Sequence, residues 1–337
     1  MRDVIVPCDV DTALPPGGSS LYATSGRTMG TGWSARMMLP PGADGDALGR
    51  SLQAELDEIV AQMSHWDSDS LLSRYNNAAA GSWHDLPAQF HEVAAYALAL
   101  ARDSGGAYDP AAGELVTLWG FGPHARYDQA GFCAPDSLAI DALLARRTGR
   151  RPQLDRAARR LLQPGAAMLD FSSIAKGYAV DRMAACLQGR SVRHFLVEAG
   201  GELRGEGVRH DGQPWWVEIE SVPEAGAQNA QPLVALHGLA IATSGDYRQY
   251  FAHGAGRAAH TLDPRTGKPV ANDVASVTVL ASTCMAADAL STALTVMGPE
   301  AGIEFAEARS IAARFLVRSP GGLSEIVSRA WAALRQA

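Results

Sequence analysis

Between Asp46 and Met63, apolar residues recur every three or four positions: Leu48, Leu52, Leu56, Ile59, Val60 and Met63. That period predicts a helix burying one face. The same period predicts helices from Pro87 to Asp103, on Phe90, Val93, Ala94, Ala97 and Ala101, and from Asp136 to Arg146, on Leu138, Ile140, Leu143 and Leu144. Gly105-Gly106 supplies the stop for the first of these. The short apolar run Met168 to Phe171 reads as a strand feeding a helix that aligns Val180, Met183, Ala184 and Leu187. A further helix over MAADALSTALTVMG carries Leu290, Ala293, Leu294 and Met297, and Gly298 and Pro299 stop it. Strand-rich runs occupy HFLVEAGGE, WWVEIE, LVALHGLAIATSG and VASVTVLAS, separated by turns such as Asp211-Gly212, and the tail from Ile311 reads as terminal strands with room for a short helix. Residues 1–20 are rich in Pro, Gly and Ser and predict a loose arm, with order beginning near Tyr22. Helices in the first half and strands in the second make the expected class α+β.

Composition narrows the functional classes. The 337 residues are 47% hydrophobic and 19% charged, as in a globular protein, and 29 Lys+Arg against 36 Asp+Glu leave a formal charge of −7, which argues against nucleic acid as a partner. The length allows one large domain or two modest ones. Cys8, Cys133, Cys186 and Cys284 are far apart, so neither a zinc cluster nor a disulfide framework is expected. No apolar run approaches the ~18 residues of a membrane helix. The first twenty residues are interrupted by Asp and Pro where a signal peptide needs an apolar core, so the sequence as it stands is expected to be cytoplasmic.

Five local patterns bear on chemistry. Gly30-Thr31-Gly32-Trp33-Ser34-Ala35 satisfies the dinucleotide pattern G-x-G-x-x-G/A, but LYATSGRT before it and the extended SARMMLP after it are the wrong setting, and a strand start accounts for it better. Ser173-Ile174-Ala175-Lys176 is an S-x-x-K, as in serine acyl-enzymes, with Arg265-Thr266-Gly267 as a stand-in for K-T-G. The same segment can be read as an anion site at a helix start, with Asp170 beside it, or as an ordinary capped helix. Asp288 and Thr292, one turn apart opposite Leu290 and Leu294, offer hard oxygen ligands suited to Mg²⁺, or form a solvated helix face. His260, before the turn Asp263-Pro264-Arg265-Thr266-Gly267, is a candidate general base.

In chain order, eight segments resemble the ApbE family of FAD:protein FMN transferases: MGTGWS, SHWDSDSLLSRYN, SGGAYDPAAGELVTLWGFG, LDFSSIAKGYAVD, LVEAGGELRGEG, ATSGDYRQYF, HTLDPRTGKPV and ADALSTAL. The resemblance covers about residues 26–300. It implies an ApbE-like, T-fold-like arrangement of helices and mainly antiparallel sheets around one FAD cleft, as a single domain over residues 21–337 or two subdomains flanking the site. It also implies Mg²⁺-dependent transfer of the FMN half of FAD to a Thr or Ser hydroxyl of a target flavoprotein, with release of AMP. FAD hydrolysis to FMN and AMP, or FAD binding without turnover, are the alternatives. By matched position, His260 is catalytic; Asp288, Thr292 and the Ser173 carbonyl hold the metal. Met29, Trp66 (usually Tyr), Ala107, Tyr108, Asp109, Asp170, Lys176, Gly200 and Gly201 lie against the flavin nucleotide. Three features depart from the family: Glu202 follows the diglycine where Asp is usual, Ala259 replaces the usual Ser before the histidine, and no exported-lipoprotein signal is present, since Cys8 follows VIVP.

Overall fold

The computed structural model describes residues 3–7, 13–222, 231–253 and 256–336; Cys8 lies outside them. Its centre is an eight-stranded, wholly antiparallel sheet. The strand order is Gly322–Val327, Ala312–Ser319, Val274–Ala281, Leu239–Gly245, Glu202–Glu206, Phe195–Ala199, Thr31–Leu39 and Ser20–Thr28. Helices Gly45–Met63, Ala175–Gly189 and Cys284–Met297 pack on this sheet and on one another. The α+β expectation holds, and one continuous core runs from Trp33 to Phe315.

Strand neighbours alternate between two cores, as a pleated sheet requires. Ala240, Ala242 and Val279 face the helices, while Ile241 and Leu280 face a second cluster with Ile5, Val234, Leu236 and Trp331. That second layer is a four-stranded sheet of Arg335–Gln336, Val4–Ile5, Leu233–Leu236 and Trp215–Glu218. The arm expected to be loose therefore contains a strand: Val4–Ile5 pairs with both Leu233–Val234 and Arg335–Gln336, and Ile5 is buried. Two residues are too few for any sequence period to reveal.

The long helices form where the apolar stripes placed them. Asp44 caps Gly45–Met63 by accepting the Ala47 N–H at 2.9 Å, and Leu48, Leu52, Leu56, Ile59 and Met63 are all buried. The predicted helices at 87–103 and 136–146 appear as Ala88–Asp103 and Ser137–Arg147. One expectation is corrected: Met168–Phe171 is not a strand, and Met168 makes only an isolated bridge to Ala112. The helix Cys284–Met297 does stop at Gly298, as expected; Gly298, with φ +80, redirects the chain into a further helix, Pro299–Ala308, with proline at its start, where the missing N–H is no loss. Helices Leu71–Asn76 and Gly113–Leu118 are too short to carry a stripe and were not predicted.

The glycine-rich Gly30–Ala35 stretch is not a nucleotide loop. Met29 (φ 45) and Gly30 (φ 73) form the two-residue turn of a hairpin whose strands pair through Thr28 and Thr31.

Candidate active site

Helix Ala175–Gly189 begins hard against helix Cys284–Met297, and Gly177 makes that approach possible. A Cβ there would stand 2.3 Å from the Cys284 carbonyl oxygen and 2.7 Å from Asp288 Cβ. Gly177 lies in the first turn of its helix, where N–H groups have no partner within the helix. Its N–H donates instead to Asp288 Oδ2 at 2.9 Å. Gly177→Ala is therefore expected to lower stability by about 1–3 kcal/mol through overpacking and to weaken any function of Asp288. Urea unfolding with an unchanged midpoint would contradict this.

Lys176 reaches the other way. Its Nζ lies 2.6 Å from Glu202 Oε1 and 4.0 Å from Asp288 Oδ1, and both carboxylates are buried. Two buried acids thus share one cation. Burial works against the Lys176 charge, but Asp288 and Glu202 outweigh it and hold its pKa above the ordinary lysine value. Burial pushes the Glu202 carboxyl up to about 7, with Asp288 acting in the same direction and Lys176 opposing. Burial also raises Asp288, against the pull of Lys176 and the Gly177 N–H. Among the described residues, Glu202 Oε2 has no hydrogen-bond partner. The solvated-face reading of Asp288 is overturned, since Asp288 is 4% exposed. Thr292, one turn on, is half-buried and has no side-chain partner among the described residues.

The diglycine turn sits over this cluster. Gly200 (φ +66) and Gly201 (φ +102) adopt backbone that favours glycine. Cβ atoms there would lie 3.0 Å from Lys176 Cδ and 3.1 Å from the Arg248 guanidinium. Arg248 donates to the Gly200 carbonyl at 3.3 Å and pairs with Glu220. The Gly200 N–H donates to the Gly32 carbonyl at 3.2 Å, which brings the Met29 turn alongside.

His260 is held by Gln249: its backbone N–H donates to the Gln249 carbonyl at 3.1 Å, and its Nδ1 lies 3.2 Å from the same oxygen. That contact assigns the proton to Nδ1 and leaves the Nε2 lone pair available. Burial lowers the His260 pKa below its ordinary value; the Gln249 carbonyl opposes this, Lys176 and Arg248 reinforce it, and Asp246 opposes.

The remaining candidates form the surroundings. Ala107 and Tyr108 are buried, and the Tyr108 hydroxyl lies 3.2 Å from Ser173 Oγ. A cavity of about 310 Å³ reaches Tyr108 and Asp109. Asp109 is committed to Arg147 at 2.7 Å and to the Ala111 N–H. Asp170 Oδ1 accepts the Ser172 N–H at 2.7 Å, and His65 Nδ1 stands 3.7 Å from it. Trp66, 53% exposed, carries the Arg126 guanidinium over its ring.

Two rival readings lose their geometry here. Ser173 precedes the helix and its hydroxyl meets Tyr108, while Lys176 is engaged by Glu202, so no Ser–Lys nucleophile pair forms. Four amides of the helix start that an anion site would use are engaged, Ser172 by Asp170, Ile174 and Ala175 by Phe171, and Gly177 by Asp288, which leaves such a site few donors. Sequence reasoning gave no role to Glu202 or Arg248. Glu202 was visible only as the residue after the diglycine, and Arg248 only as part of ATSGDYRQYF.

The antiparallel sheet with helices packed over it is the architecture this chain shares with solved flavin transferases. The crystal structure of Pseudomonas stutzeri flavinyl transferase ApbE, apo form, is 37% identical and superposes with a TM-score of 0.85, covering 95% of this chain and 98% of that one. The flavin transferase ApbE from Vibrio cholerae gives a TM-score of 0.84 at 36% identity, covering 94% of this chain and 99% of that one. A curated FAD:protein FMN transferase from Haemophilus influenzae is 34% identical over 90% of this chain and 88% of that protein. The ApbE family model matches residues 29–315, and the chain belongs to the ApbE family. Among the described residues, no helix is long and apolar enough to cross a membrane.

Proposed function

We propose that this protein is an FAD:protein FMN transferase, joining the FMN half of FAD through a phosphoester to a Thr or Ser hydroxyl of a target flavoprotein. The observation that carries this reading is the Lys176–Glu202–Asp288 cluster with both acids buried. In the reaction the acceptor oxygen bonds to the FMN phosphorus, the P–O bond of the diphosphate breaks, and AMP leaves with the bridging oxygen. His260 Nε2 takes the hydroxyl proton. Lys176 and Arg248 offset the diphosphate charge. Met29, Trp66, Ala107, Tyr108, Asp109, Asp170, Gly200 and Gly201 line the flavin nucleotide, with Trp66 offering a ring for stacking once Arg126 yields its face.

The residues present fit Mg²⁺. Among the described residues no group of three or more His, Cys, Asp or Glu could hold a metal, but Mg²⁺ needs only one or two carboxylates and keeps several waters. Asp288, Thr292 and the Ser173 carbonyl would hold it, all oxygen donors, with the buried Asp288 carboxylate favouring a cation. Bound there, Mg²⁺ would supply charge neutralisation at the diphosphate.

The direct test is mass spectrometry of a threonine-containing acceptor flavoprotein incubated with this protein, FAD and Mg²⁺, with and without EDTA. A metal-dependent gain of one FMN with release of AMP is expected. FMN and AMP without an adduct would assign hydrolysis instead, and unchanged FAD would assign binding alone.

A further inference from the structure

We propose that Asp181 is the positioning residue that holds Asp288 in place, by clasping the first turn of one helix to the flank of the other. The inference rests on the proposed role of Asp288 in holding the metal. Asp181 lies in helix Ala175–Gly189, five residues after Lys176. Its Oδ1 accepts the Cys284 N–H at 2.9 Å and its Oδ2 the Met285 N–H at 2.8 Å. Both belong to the start of helix Cys284–Met297, where amides have no partner within their own helix. Oδ1 also accepts from Arg204 Nη1 at 2.6 Å, on the strand that begins with Glu202. One carboxylate thereby ties together the three elements that present Lys176, Asp288 and Glu202. Asp288 stands one turn beyond Cys284, so a slide at the clasped end is passed directly to its carboxylate.

The same helix end carries an independent cap, which makes a control: Thr283 Oγ1 accepts the Ala286 N–H at 3.3 Å and touches no other element through that bond. If Asp181 served only to stabilise a helix end, removing either cap would have the same consequences.

The experiment uses the full chain with Asp181→Asn or Thr283→Ala. It measures Mn²⁺ binding by electron paramagnetic resonance in the presence of FAD, and hydrogen exchange at the Gly177 amide without metal or FAD. Asp181→Asn is expected to weaken Mn²⁺ binding about 10–100-fold, as loss of a residue supporting a metal ligand does, and to remove protection at Gly177. Thr283→Ala is expected to change neither, even where its thermal midpoint falls as far. Equal behaviour of the two variants, or an unchanged Gly177 amide in Asp181→Asn, overturns the proposal. Absence of Mn²⁺ binding by the wild-type chain overturns the metal reading instead, and the amide exchange still decides the clasp.

Discussion

Asp288→Asn is expected to abolish metal-dependent transfer while leaving the chain folded. The asparagine keeps an oxygen to accept the Gly177 N–H at the position Oδ2 now occupies, so the contact between the two helices survives. What disappears is the charge. The proposed metal site would lose its carboxylate, Lys176 would be left with Glu202, and the rate should fall on the order of 10³-fold or more, with the response to Mg²⁺ gone. Asp288→Ala adds a structural penalty of about 1–3 kcal/mol, because the Gly177 N–H is then buried without an acceptor. Steady-state transfer assays titrated with Mg²⁺, beside thermal melts, separate the two variants. Normal Mg²⁺-dependent transfer by Asp288→Asn would place the metal elsewhere.

His260→Ala is expected to slow transfer about 10²–10⁴-fold, the usual contribution of a positioned general base, with Mg²⁺ dependence and FAD affinity retained. The wild-type pH profile gives a second readout. As the proposed general base the histidine would act in its neutral form, so the rate is expected to fall as pH drops through its folded-state pKa. Burial sets that pKa below the ordinary 6.5, helped by Lys176 and Arg248 and opposed by the Gln249 carbonyl and Asp246. The acid limb set by this histidine should therefore lie below pH 6.5. Arg248→Gln removes one cation facing the ring and should move the limb upward, whatever it does to the maximal rate. A limb that stays in place in His260→Ala would show that another group carries the proton.

Much of the scaffold was legible in the primary sequence. The stripe Leu48–Leu52–Leu56–Ile59 and the run around Leu290 and Leu294 belong to helices because a periodic apolar face can be buried in only one way. The short elements were not legible. Val4–Ile5 is a strand only because the Leu233–Leu236 and Arg335–Gln336 edges flank it, and Pro299, which reads as a stop, opens a helix because Gly298 turns the chain.

The candidate site residues divide along the same physical line. Local spacing and the ordered segments were enough to single out Asp288, Lys176, His260 and the diglycine, since motif residues keep their order whatever the packing. Which charges meet depends on residues far apart in the chain. Lys176 meets Glu202 and Asp288 through 26 and 112 intervening steps of sequence, and Gly177 is needed because two helices must approach within the space of one methyl group. Asp181 shows the limit most clearly: nothing in KGYAVD says that its carboxylate closes the first turn of a helix 103 residues away. Sequence period and motif order sufficed for the helices, the strands and the family. Burial, by withdrawing solvent from two acids beside one half-buried lysine, made those residues a candidate site, and burial is a property of the folded chain.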